Sequence, residues 1–91
     1  MKYDLIPTGQ FRKDLKLAQK RGYDLDKLKV VLNVLANGQE LDPKYKDHVL
    51  VGNYAGCREC HIQPDWLLIY RIDGNQLIVI FFRTGTHSDL F

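Results

Sequence analysis

Asp73-Gly74 separates two long β-prone runs, Trp66 to Ile72 and Gln76 to Arg83, and no other local feature constrains the fold as much. Glycine tolerates the positive φ that a two-residue hairpin turn requires, so the runs are expected to pair antiparallel. A turn of that length sets even residues opposite odd ones. Trp66, Leu68 and Tyr70 are then expected to share a face with Leu77, Val79, Phe81 and Arg83. Leu67, Ile69, Ile78, Ile80 and Phe82 fall on the other. Both faces are largely apolar, so each needs cover.

The first half of the chain supplies helices. Tyr3 to Pro7 is a short β-prone segment, and Thr8 can cap a helix in which Phe11, Leu15 and Ala18 form one apolar stripe. Asp24 or Asp26 can cap a second helix, with Leu28, Val31, Leu32 and Leu35 at helical spacing until Asn37-Gly38. Gln39 to Asp47 is polar and contains Pro43, the composition of a loop with room for a helical turn. Val49 to Gly52 and Cys57 to Gln63 are further strand candidates. The expected fold is α+β: one domain over residues 1–91, with an N-terminal strand and a two-helix hairpin packed on a mainly antiparallel sheet. Two helices cover one face only, so the Trp66 and Arg83 ends are expected to border an exposed concavity.

At 91 residues and 45% hydrophobic content, the chain can build one core and not two. Its longest apolar run, Leu77 to Phe82, falls far short of the ~20 residues that cross a bilayer. No secretory h-region precedes Pro7, so a cytoplasmic protein with reduced thiols and no membrane partner is expected.

Cys57-Arg58-Glu59-Cys60-His61 matches the C-x-x-C-H pattern of haem attachment. Haem is not expected, because attachment belongs to exported proteins and a strand would set the two cysteines on opposite faces. A zinc site needs about four ligands, and no second pair follows. Two inert, packed thiols are the plainer reading. Arg12, Lys13, Lys16, Lys20 and Arg21 crowd the first helix, where Asp14 is the lone acid. Such a cluster can grip RNA phosphates, although many basic helix faces are merely solvated. With a formal net charge of only +2, charge placement and not total charge must carry any nucleic-acid role. The three histidines, His48, His61 and His87, all fall in the sheet half with Asp65 and Arg83. Imidazoles move protons near neutral pH and guanidinium stabilises a phosphorane-like transition state, so convergence would suit phosphodiester chemistry. The tail from Phe82 to Phe91 turns at Gly85 and carries His87 and a terminal aromatic, which can cap the core or stack on a base.

Tyr45-Lys46-Asp47-His48, the run from His61 through Asp65-Trp66 to Tyr70, and Arg83-Thr84-Gly85-Thr86-His87-Ser88-Asp89-Leu90-Phe91 resemble the YafQ-type toxins of the RelE/ParE superfamily. Lys13 to Arg21 fits as well, and the likeness spans essentially the whole chain. The resemblance implies a RelE-like fold and a bacterial type II toxin that enters the ribosomal A site and cleaves mRNA without a metal or other cofactor, restrained by a cognate antitoxin. Carried over by position, His48, His61, Asp65 and His87 match catalytic positions. Arg83 and Phe91 match positions that contact phosphate and base, and Trp66 and Lys46 accompany them in the same motifs. Cys57 and Cys60 have no place in the catalytic motif.

His87 is then expected as general acid toward the departing 5′-oxygen, and Arg83 as the clamp for developing charge. Asp65 or His61 is the base or its orienter, and His48 a phosphate ligand or alternate base. A non-enzymatic alternative is a ParE-like toxin that binds DNA gyrase, but a pure binder has no need for proton-transfer groups. Expression should shorten mRNA in the first case and accumulate DNA breaks in the second.

Overall fold

The structure is a computed structural model and describes residues 2–91. Five strands, β1 (Asp4–Pro7), β2 (His48–Val49), β3 (Arg58–Gln63), β4 (Trp66–Asp73) and β5 (Ile78–Gly85), lie side by side in the order β1-β5-β4-β3-β2. β1 runs parallel to β5 and every other pairing is antiparallel, the α+β arrangement expected. Helices α1 (Gly9–Lys20) and α2 (Leu25–Ala36) follow β1, and a short α3 (His87–Leu90) follows β5.

Both long helices begin where capping chemistry dictates. The Thr8 side chain accepts from the amide of Phe11, and the Asp24 side chain from that of Asp26. Their apolar stripes bury Phe11, Leu28, Val31 and Leu35 against Trp66, Leu68, Tyr70, Val79 and Phe81 of the sheet. The opposite face is covered too. Leu67, Ile69, Leu90 and Cys57 form a second cluster there, with Leu50, Tyr54 and Phe82 packed on it. α3 and the 50–57 segment close that face, so the open concavities bordering these strand ends are instead clefts at Gln63–Pro64 and beside Arg83. Trp66 itself is 1% exposed.

The β4–β5 hairpin differs from expectation in an instructive way. Strand β4 runs through Asp73, and four residues, Gly74 to Leu77, make the turn. Asp73 Oδ1 accepts from the amides of Asn75 and Gln76 at 3.0 and 3.2 Å, building the turn from its own side chain. Four residues preserve the parity of two, so Tyr70 opposes Phe81 and Ile72 opposes Val79. A bulge then shifts the register between Ile69 and Tyr70, placing Arg83 opposite Ile69 and Thr84 opposite Leu68. Arg83 thus leaves the Trp66 face, and Thr84 takes its place there. The Val49 to Gly52 segment also departs from expectation: only His48–Val49 pairs, and the chain turns inward through Gly52–Tyr54 to cover the second cluster.

Cys60 is fully buried in the helix-side core and Cys57 lies in the other, on opposite faces as strand alternation requires. Burial pushes both thiols up in pKa, Cys60 the more strongly. Neither is disposed to act as a nucleophile.

Thr84 Oγ1 accepts from the Trp66 indole at 2.9 Å and donates to the Leu67 carbonyl at 2.7 Å. Thr84→Val keeps the shape and orphans both buried partners, so urea denaturation should show a loss of ~1–3 kcal/mol. Thr84→Ser should recover much of it.

Candidate functional site

Three elements each deliver one histidine to a common row. His48 opens β2, His61 lies in β3 and His87 is the first residue of α3. The ring centroids of His48 and His61 are 6.2 Å apart, and those of His61 and His87 are 5.8 Å apart. Strand alternation puts Glu59 on the same face of β3 as His61, and the β2–β3 register sets it directly opposite His48. Its carboxylate is 4% exposed and lies 3.5 Å from Nε2 of both His48 and His61. Glu59 was passed over in the sequence, where it falls inside the two-cysteine motif. An acid two residues before a motif histidine on a strand was the signal available.

The ring of His48 is oriented from behind. Its Nδ1 donates to the Lys46 carbonyl at 2.7 Å, which leaves Nε2 for the site. Lys46 reaches that position with φ 51, a left-handed conformation uncommon outside glycine. The loop is held by Asp47, which accepts from Arg58 at 3.0 Å and from the Tyr70 hydroxyl at 2.6 Å. Burial, with the Asp47 hydrogen bond next, pushes the Tyr70 hydroxyl far up, so it stays a donor.

His87 is fixed more tightly. Asp65 sits in the two-residue turn between β3 and β4, and its Oδ1 accepts from both Nδ1 and the backbone amide of His87, at 2.8 and 3.1 Å. Those bonds hold the Asp65 carboxyl below its ordinary pKa, so it remains an acceptor and Nδ1 keeps its proton. Nε2 is left to face a substrate. The helix behind His87 is a capping box of Thr86 and Asp89, and Arg21 clasps the Asp89 carboxylate at 2.6 and 3.2 Å. Gly85 permits this closure, since a Cβ there would lie 2.8 Å from Asp89 Oδ2.

The other expected site residues are distributed differently. Arg83 makes no hydrogen bond to the histidines among the described residues and instead grips Asp14, with Nε to Oδ2 at 2.8 Å and Nη2 to Oδ1 at 3.2 Å. Trp66 is buried against Tyr23 with ring centroids 4.9 Å apart, so it is a core residue that supports Asp65 and not a surface for substrate. Phe91 is 65% exposed and meets Tyr54 edge-on, a free aromatic face beside the site. Arg12, Lys13, Lys16 and Lys20 are exposed on α1, whereas Arg21 is engaged by Asp89.

His48, Glu59 and His61 also offer ligand atoms lying within 4.8 Å of one another. Two imidazoles and a carboxylate fit Zn²⁺ or Cu²⁺, and here they are the same groups that would move protons.

The whole chain resembles known proteins. The family model described as the bacterial toxin of type II toxin-antitoxin system, YafQ, matches residues 3–91. The mRNA interferase toxin YafQ of Escherichia coli (strain K12) is 46% identical over 89 residues, which cover 97% of this chain and 95% of that protein. The YafQ structure in the E. coli DinJ-YafQ complex superposes with a TM-score of 0.89 at 46% identity, over 98% of each chain. A metal-bound toxin from Helicobacter pylori gives a TM-score of 0.92 at 44% identity, over 98% of this chain and 99% of that one. These matches define a toxin of the type II toxin–antitoxin class. Within that class the chain belongs to the YafQ family.

The Arg21–Asp89 clasp has a measurable pH signature. Arg21 first, then the Thr86 amide, hold the Asp89 carboxyl well below its ordinary pKa. A depressed folded-state pKa stabilises fully above the unfolded value near ~4 and is lost as pH falls below it. The Tm difference between wild type and Arg21→Gln should therefore be constant near neutral pH and shrink below about pH 4. Amides of α3 should exchange faster in the variant at pH 7.

Proposed function

We propose that the protein is a ribosome-dependent endoribonuclease that acts in the cytoplasm, cleaves mRNA in the A site and is silenced by an antitoxin. The observation that carries this reading is the row His48–His61–His87, spaced 6.2 and 5.8 Å, with Glu59 between the first two rings and Asp65 on the third. A phosphate set along that row meets a proton acceptor on one side and a donor on the other, the requirement for in-line attack of a 2′-hydroxyl.

His87, as imidazolium, gives its Nε2 proton to the departing 5′-oxygen while Asp65 holds the ring through Nδ1. Asp65 is committed to that task, so the base is His61, with Glu59 receiving the proton's charge beside it. His48, taken as an imidazolium beside the Glu59 carboxylate, supplies its Nε2–H to a non-bridging oxygen. Arg83 has two nitrogens on Asp14, leaving Nη1 to stabilise charge. The exposed Arg12, Lys13, Lys16 and Lys20 draw the protein toward ribosomal RNA. Phe91 offers a base a stacking face. The E. coli relative crystallised with DinJ supports an antitoxin partner here, whose acidic or helical segment covers the same surfaces. A gyrase-binding role leaves the ordered row of proton-transfer groups without purpose.

Two experiments test this. In single-turnover assays on programmed ribosomes, His87→Ala should slow cleavage by ~10² to 10⁴-fold with the far-ultraviolet circular dichroism unchanged, while Cys60→Ser retains it. Near-wild-type rates for His87→Ala would remove the acid assignment.

The second concerns metal. A divalent ion on His48, Glu59 and His61 would act as a Lewis acid there, yet it would occupy a lone pair that the base needs and displace the proton of the phosphate donor. The reaction proposed runs on the free side chains. Brief chelation of preassembled complexes should leave the rate intact, and stoichiometric Cu²⁺ or Zn²⁺ should suppress it. Stimulation by either ion would reverse the assignment.

A further inference from the structure

A groove of about 610 Å³ runs away from His61 between α2, the turn at Pro43–Tyr45 and the β3–β4 turn. Lys27, Lys44 and Lys46 line it, all three exposed, and no carboxylate does. Its floor is apolar, with Val30, half exposed, facing Ile62 and Pro64. Two other clefts are unlike it: the one beside Arg83 contains Asp14 and Asp89, and the one at Arg58 contains Glu40 and Asp47. Lys44 is held at the groove by its ammonium lying 5.2 Å above the Tyr45 ring.

We infer that this groove is a nucleotide subsite, which takes the ribonucleotide adjoining the scissile phosphate. Three cations without an acid attract a phosphodiester, and an apolar floor accepts a base face. The groove is continuous with the catalytic row at two points. His61 belongs to both, and Lys46, whose carbonyl orients His48, reaches the groove with its side chain. A strand leaving the histidines along the groove therefore carries its next phosphate past Lys46 and on to Lys27 and Lys44. This subsite would contribute binding without touching the protons transferred, so it belongs to substrate capture and to discrimination between neighbouring bases. The inference rests on the nuclease reading above.

The test uses the full chain on programmed ribosomes. Lys27→Gln/Lys44→Gln alters exposed residues outside the catalytic row, so folding is preserved and the two kinetic constants separate. The half-saturating toxin concentration should rise about tenfold, with the saturated rate within a factor of about three of wild type. In parallel, mRNA carrying 4-thiouridine beside a 2′-deoxy cleavage position should crosslink to residues 43–46 or 61–64 of the wild-type protein. Wild-type protein that cleaves nothing would remove the nuclease reading itself. Normal wild-type cleavage with unchanged half-saturation in the double variant, or crosslinks confined to other segments, would overturn the subsite alone. Loss of antitoxin binding by a variant with unaltered cleavage would assign the groove to the antitoxin and overturn it equally.

Discussion

A single buried carboxylate joins the two halves of this protein. Strand β1 ends opposite Phe81, so beyond that point β5, still paired with β4 on one side, has no strand on the other. Asp14, 8% exposed on α1, takes the place of one: its Oδ2 accepts from the Thr84 amide at 3.1 Å and from Arg83 at 2.8 Å. Charge and hydrogen bonding are satisfied together, as a buried carboxylate requires. Removing Asp14 would leave a guanidinium and a strand edge without partners, at the point where β5 leads into the arm bearing His87. The bulge in β5 serves the same end, because it turns Thr84 toward Trp66 while Arg83 reaches Asp14.

A common design orients the imidazoles. Each ring has an acceptor beside a nitrogen: the Lys46 carbonyl bonded to His48, the Asp65 carboxylate bonded to His87, and the Glu59 carboxylate 3.5 Å from Nε2 of both His48 and His61. Each acceptor is supported in turn. Asp47 and Arg58 hold the Lys46 loop, burial holds Glu59, and a two-residue turn holds Asp65. Arg21 and Asp89 secure the helix that starts with His87. Catalytic geometry is thus set by groups that need not touch the substrate.

Local chemistry explains what the sequence disclosed. Thr8 and Asp24 cap helices through bonds two or three residues away, so both starts were legible. The antiparallel pairing of β4 and β5 was legible too, because an even-numbered turn gives the same parity whether it has two residues or four. The bulge was hidden, since its cause is tertiary: Thr84 is drawn to Trp66 and Asp14 from distant parts of the chain. The same holds for Arg83, whose partner Asp14 looked like a stray acid in a basic helix. The three histidines and Asp65 stand out by residue type and take their roles from motif resemblance, and spacing by itself cannot show that they meet. Glu59 is not legible in the sequence because it lies inside a two-cysteine pattern that burial renders inert.

The placement of Trp66 gives the molecule a built-in optical reporter. It is the chain's one tryptophan, almost wholly shielded from water, with its indole proton bonded to Thr84 and its ring against Tyr23. Thr84 lies three residues before His87, and Tyr23 two after Arg21, so the fluorophore touches both sides of the clasp that positions the tail. Its emission colour reads solvent access at that junction, and loosening of the tail from α1 would be visible as a red shift before the sheet comes apart.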